Sequence, residues 1–221
     1  MPSEKSTSTP GPSFVELVLV EPDVYWRIFS LDFQAEEFEV FHRRALTRWT
    51  HYLGTQVIVW AFLLLTMDWR IGPVPVAVLV AAALVAWYLR MDRVVGLVTG
   101  AQVIVLFALA WLASSAGLGA WTAVLALVVA AAAQNISHSV EPVPPVLTGR
   151  GFESFPVYWS EASPWHRVRL LLLNVFYLPL ELVSAPRLFP VHVMRAMHLV
   201  GWRPDRAADV HARAMAALEA A

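Results

Sequence analysis

Seven histidines and the complete absence of cysteine set the chemistry open to this chain. With no thiol there is no disulfide, thiolate zinc site, iron–sulfur cluster or cysteine nucleophile, so a bound metal has to rest on His, Asp or Glu. Three histidines stand at the edges of long apolar runs: His42 and His51 before and at the start of one, His138 at the end of another. Glu141 follows His138 by three residues, a spacing that puts an imidazole and a carboxylate on one helix face, where they could share an ion. His42 and His51 are nine residues apart. On an unbroken helix that is about two and a half turns, on opposite faces and roughly 13 Å apart along the axis, so their convergence requires a break. Plainer readings stand beside these. A boundary histidine commonly bonds water, a headgroup or a carbonyl, and Glu141 can be a solvated loop acid. His166, His192, His198 and His211 fall in segments that read as loops or surface helices, where a solvated imidazole needs no explanation.

The elements that must position these residues are hydrophobic helices. The 221 residues are 58% hydrophobic and only 15% charged, with a mean hydropathy of +0.57; an ordinary soluble domain carries roughly 25% charged residues. Uncharged runs cover His51 to Met67, then 73–89, 94–113 and 117–134, separated by short polar turns. The spacing predicts an all-α, integral membrane bundle of about four transmembrane helices, with re-entrant or interfacial helices beside it. Residues 1–13 read as a disordered tail, 14–50 as an interfacial amphipathic segment, 51–202 as the membrane helical domain and 203–221 as an exposed C-terminal helix. The stretch Leu170 to Leu180 is short, broken by Pro179 and followed by Glu181, which suits a re-entrant or interfacial helix better than a crossing. Trp49, Trp60, Trp69, Trp87, Trp111 and Trp121 sit mostly near the span ends, as an aromatic belt does. Gly96 and Gly100 form a small-xxx-small pair suited to a helix contact.

Arginine placement orients the bundle. Arg43, Arg44 and Arg48 precede the first run, Arg90 and Arg93 lie between the second and third, and Arg150, Arg167 and Arg169 follow the fourth; the opposite side receives only Arg70. The positive-inside bias therefore puts the N-terminus in the cytoplasm. An even number of crossings returns the chain to its starting side, which makes the distant His51 and His138 possible neighbours. A net charge of −1 leaves no basic footprint for nucleic acid. Transport is disfavoured because the spans lack a mid-membrane charge pair and paired broken helices, and the clustered HxxxH or HxxHH spacing of histidine-box hydroxylases is absent.

The order of motifs carries a resemblance. Phe41-His42, then His51-Tyr52-Leu53-Gly54, and later Gln134-Asn135-Ile136-Ser137-His138-Ser139-Val140-Glu141 with Pro144-Pro145 behind resemble the 2-hydroxy fatty acid (2-hydroxypalmitate) dioxygenase family. Pro179-Leu180-Glu181 and Gly201-Trp202-Arg203-Pro204 are similar too, so the likeness runs from about Phe38 to Pro204. Fungal members are iron(II)-dependent enzymes of fatty acid α-oxidation in the endoplasmic reticulum; the bacterial members are membrane proteins of unknown function. The resemblance implies iron(II) held by His42, His51 and His138, with Gln134 and Glu141 at flanking polar positions of the active site. It also implies O₂ as co-substrate and a membrane lipid or fatty acid that is oxidatively shortened by one carbon. Where the family has Pro and Asn, this chain has Ala45 and Thr47, so the bend between His42 and His51 needs another source. The cysteine-free, Ala- and Arg-rich composition favours a bacterial inner membrane over the endoplasmic reticulum. The alternative from another class is a non-catalytic membrane scaffold or lipid-binding protein whose histidines are interfacial residues.

Overall fold

The computed structural model describes residues 29–141 and 185–219; it is all-α, 82% helical. A short helix, α1 (Leu31–Phe41), starts at Ser30, whose hydroxyl accepts the amide of Phe33. After a three-residue break come α2 (Ala45–Leu65), α3 (Val76–Met91), α4 (Arg93–Ser115) and α5 (Ala120–Ser137), the last running into a single 3₁₀ turn, His138–Val140. Beyond the segment outside the described residues follow α6 (residues 185–199) and α7 (Pro204–Glu219). The turn expected after the first run is a small antiparallel hairpin of β1 (Arg70–Ile71) and β2 (Val74–Pro75).

The four apolar runs fall largely in α2 to α5, but only 94–113 lies wholly inside its helix; the others overrun it at residues 66–67, 73–75 and 117–119. α2 starts six residues before His51, because backbone hydrogen bonding continues past the point where polar residues begin. The helix at 185–199 was not anticipated as an element, and the expectation of a re-entrant helix at Leu170 to Leu180 lies outside the described residues. Among the described residues one helix, α4, is both long and apolar enough to cross a membrane. At 16 residues α3 is shorter, as is the apolar part of α5, Ala120–Gln134.

Packing explains the order. α2 lies against α5 and α4, and α3 against α4. The α3–α4 approach is tight enough that a Cβ on Gly96 would meet the carbonyl oxygen of Tyr88 at 2.5 Å, while one on Gly100 would touch only the Val85 side chain at 3.3 Å. Asp92 caps α4, its side chain accepting the amides of Val94 and Val95 at 2.9 and 3.0 Å. Outward, α4 and α5 present Leu97, Ile104, Leu112, Leu125 and Val129, each more than half exposed.

Helices α1, α6 and α7 form a layer across the end of the bundle where α2 and α4 begin and α3 and α5 finish. The Arg206 guanidinium joins Asp32 of α1 to Asp92, both at 2.8 Å. Tyr88 donates its hydroxyl to the carbonyl of Pro186 at 2.8 Å, which seats the start of α6 on α3. Arg213 of α7 pairs with Glu36 of α1 at 2.5 Å, and Val210 and Ala214 are buried on the same helix.

Candidate metal centre

The break between α1 and α2 is what brings His42 to His51. α1 ends at Phe41, and His42 leaves the helix with φ −128° and ψ 66°. Its amide and its ring both turn back to one acceptor, the Phe38 carbonyl: the backbone N–H donates at 2.9 Å and Nδ1 at 3.0 Å. A carbonyl only accepts, so Nδ1 carries the proton and Nε2 keeps its lone pair. The Phe38 ring stacks on the imidazole at 4.1 Å between centroids, fixing its plane.

Neither proline nor asparagine makes this bend. Arg44 stands extended at the start of α2 with no side-chain cap. In its place Glu141, 97 residues downstream, reaches across: one oxygen accepts the Arg44 amide at 2.9 Å, the other the Arg43 amide at 3.0 Å. The carboxylate is 2% exposed and holds the His42 segment to the chain just after His138. Two further bonds close this seam. Thr47 donates to the Ser137 carbonyl at 3.0 Å, satisfying an acceptor at the end of α5, and Arg48 donates from Nε to the His42 carbonyl at 2.6 Å.

Gln134 fixes the level of His51. Its amide nitrogen lies 3.4 Å from both the His51 carbonyl and the Thr55 hydroxyl. This contact requires Gly54: a Cβ there would lie 2.7 Å from the Gln134 amide nitrogen.

The three histidines from distant parts of the chain meet as a result. Ring centroids are 4.2 Å apart for His42 and His51, and 4.8 Å for each of them with His138. All three are at most 6% exposed. His42 Nε2, His51 Nε2 and His138 Nδ1 are buried with no hydrogen-bond partner. One ring nitrogen from each lies within 4.8 Å of the others. A buried polar atom left unpaired costs about 1–3 kcal/mol, and three so close together can share one partner, such as a cation at their centre. The group can hold a metal ion if the rings close from 4.8 Å to within the ~4.4 Å that two nitrogens at ~2.0–2.2 Å from one centre allow. Burial holds the His42 pKa well below its ordinary value, helped by the mutual repulsion that charging His51 or His138 would bring. Burial likewise lowers His138 to about 4, against the opposing pull of Glu141. At neutral pH these two rings are uncharged and free to donate lone pairs.

Glu141 and Gln134, read from sequence as flanking active-site residues, both lie here; Glu141 has its oxygens on backbone amides and Gln134 bonds the His51 turn. His198 stacks on Trp202 and His211 lies 3.6 Å from Glu39, both apart from the triad, while His166 is outside the described residues. His192, read as a solvated imidazole, is instead 4% exposed on α6. Its Nε2 lies 3.5 Å from the Thr55 hydroxyl, and its ring packs edge-on to Phe38 at 4.9 Å and Tyr52 at 5.8 Å. Burial pushes its pKa down to about 3. The signal was present in the apolar run Leu188, Phe189, Val191, Val193 and Met194 around it, all buried. A second polar cluster adjoins: Glu39 pairs with Arg48 at 3.1 Å and with Arg195, whose guanidinium also lies 5.4 Å over the Phe38 ring. No protein-family model matches the chain, and no curated protein or solved structure matches it either.

Proposed function

We propose that this chain is a membrane-embedded iron(II)-dependent dioxygenase that shortens a 2-hydroxy fatty acid or related lipid by one carbon. The observation that carries the reading is the set of three buried, uncompensated imidazole nitrogens on His42, His51 and His138. Neutral imidazoles suit a first-row divalent ion, and three nitrogen ligands leave positions open for other groups. The resemblance of the flanking motifs selects iron and the substrate class. When bound, ferrous iron supplies a site where O₂ and the hydroxyl and carboxylate oxygens of a 2-hydroxy acid can be brought together.

The chain's own residues do the remaining work. Glu141 and Gln134 hold the segments that carry the ligands, and Phe38 and Arg48 fix the His42 ring and carbonyl. Burial of all three imidazoles keeps bulk water from the centre. Leu46, Trp49 and Leu53 make an exposed apolar stripe on α2 beside His51, a surface along which a lipid tail can arrive sideways from the bilayer.

The membrane part of the reading has α2, α3, α4 and α5 as four crossings, with the N-terminus and the metal centre on the cytoplasmic side of a bacterial inner membrane. It is supported by the broad exposed apolar surface of α4 and α5, which water would not tolerate, and by the arginine bias. α3, with 16 residues, extends about 24 Å, near the hydrocarbon thickness once interfacial residues are added.

The test is metal analysis of purified protein together with turnover of a long-chain 2-hydroxy acid to the acid one carbon shorter. Wild type should carry iron and convert substrate, whereas His51→Ala and His138→Ala should insert normally and do neither. Full turnover in either variant, or wild-type protein that binds no metal under anaerobic reconstitution, returns the chain to the scaffold or lipid-binding reading.

A further inference from the structure

The turn between α6 and α7 is built in a way the metal centre does not explain. Leu199 and Val200 are 89% and 83% exposed, among the most exposed large apolar side chains described. The turn is rigidly made: the amide of Trp202 returns to the Met197 carbonyl at 3.0 Å, Gly201 takes φ +88° and Arg203 takes φ +45°. A left-handed arginine is uncommon, and here it leaves the guanidinium 5.2 Å over the Trp202 ring. The Trp202 ring packs inward on the core and stacks on His198 at 5.6 Å, which leaves Leu199 and Val200 as an uncovered aliphatic pair at the tip.

The tip also belongs to the right end of the molecule. Arg206, four residues past Trp202, is bonded to Asp92 at 2.8 Å, at the junction of α3 and α4. One turn into α4 from there begins the exposed apolar surface of Val94, Leu97 and Val98. Arg90 and Arg93 flank that junction, exposed and without an ion pair among the described residues, so positive charge faces the level where anionic headgroups lie. A second copy of the chain is a poor occupant, because two side chains fall far short of the roughly 800 Å² per partner of a stable interface. A bilayer needs no such area, since the chain is already tethered to it.

We propose that Leu199 and Val200 insert into the headgroup region of the bilayer that α2–α5 cross, so that the α6–α7 turn pins the α1–α6–α7 layer to the lipid surface. The inference rests on the membrane reading above and adds a contact that sets the tilt and depth of the layer bearing His192 and Arg195. Because the chain has no cysteine, single substitutions in the full-length protein can each take one environment-sensitive fluorophore in vesicles containing anionic lipid. Val200→Cys should give blue-shifted emission, quenched severalfold more by a spin label near the headgroup than by aqueous iodide. Ile104→Cys, on the exposed face of α4, should be quenched by a label deep in the chains, and Ala212→Cys, on exposed α7, by iodide alone. Iodide quenching at Val200 with lipid quenching at Ile104 overturns the anchor and leaves the membrane reading standing. Loss of lipid quenching at Ile104 overturns the membrane reading itself. A blue shift at Val200 without lipid quenching means a protein surface covers the tip, which also overturns the anchor.

Discussion

At the scale of single residues, the centre is defined by protons it cannot easily accept. In the metal-free protein, folded His138 titrates at about 4 against an ordinary 6.5, and His42 is lowered in the same direction. Between those pH values the unfolded chain binds more protons than the folded one, so stability rises with pH across that window and falls on acidification. Thermal unfolding of metal-free protein in detergent should show a lower midpoint at pH 5 than at pH 7, and His138→Phe should reduce the difference without abolishing it, because His42 and His192 are lowered too. His192 gives a second prediction. It touches Phe38, which backs His42, and Thr55, one turn from His51, so it positions two of the three imidazoles without being one of them. His192→Phe, which fills the space without the ring nitrogen, should weaken metal binding about 10–100-fold, as loss of an outer hydrogen-bonding partner does. His192→Gln should recover part of it; an unchanged dissociation constant in both would reduce His192 to packing.

At the scale of elements, the helices were legible and their ends were not. Apolar runs mark where charge is excluded, which is why the cores of α2 to α5 could be read directly, but Arg48 lies inside α2 and Arg90 inside α3 because helical bonding does not stop where polarity starts. α6 escaped notice because His192 and Arg195 interrupt its apolar pattern; only the structure shows Arg195 meeting Glu39. The glycine pair in α4 was legible as a contact but not as an unequal one. Gly96→Ala presses a methyl group on the Tyr88 backbone, which cannot yield, and should cost about 1–3 kcal/mol or more. Gly100→Ala meets a side-chain methyl at 3.3 Å and should cost far less. Equal stability of the two variants in a reversible unfolding titration would mean α3 and α4 are not so closely packed.

At the scale of the molecule, His42, His51 and His138 could be named from their positions at apolar boundaries, and an even number of passes was enough to suggest that the last two meet. What no local pattern could show is the brace that makes the first two converge, because its acceptor is a glutamate 97 residues away whose spacing from His138 suggested a shared ion instead. Glu141→Gln keeps the shape but puts an N–H against one of the two amides. It should lower stability by about 1–3 kcal/mol and reduce metal occupancy, whereas Glu141→Ala should lose occupancy altogether. Metal content unchanged in Glu141→Ala would show that the bend holds without its brace.

The same carboxylate imposes an order on biogenesis. While the ribosome is still making α3 and α4, Arg43 and Arg44 have no acceptor for their amides and His42 has no reason to face His51. Only after residue 141 has emerged, and only once α5 has packed on α2, do the halves of the centre close. The three imidazoles therefore converge only once α5 is complete, and their meeting reports that helices far apart in the chain have reached their final arrangement.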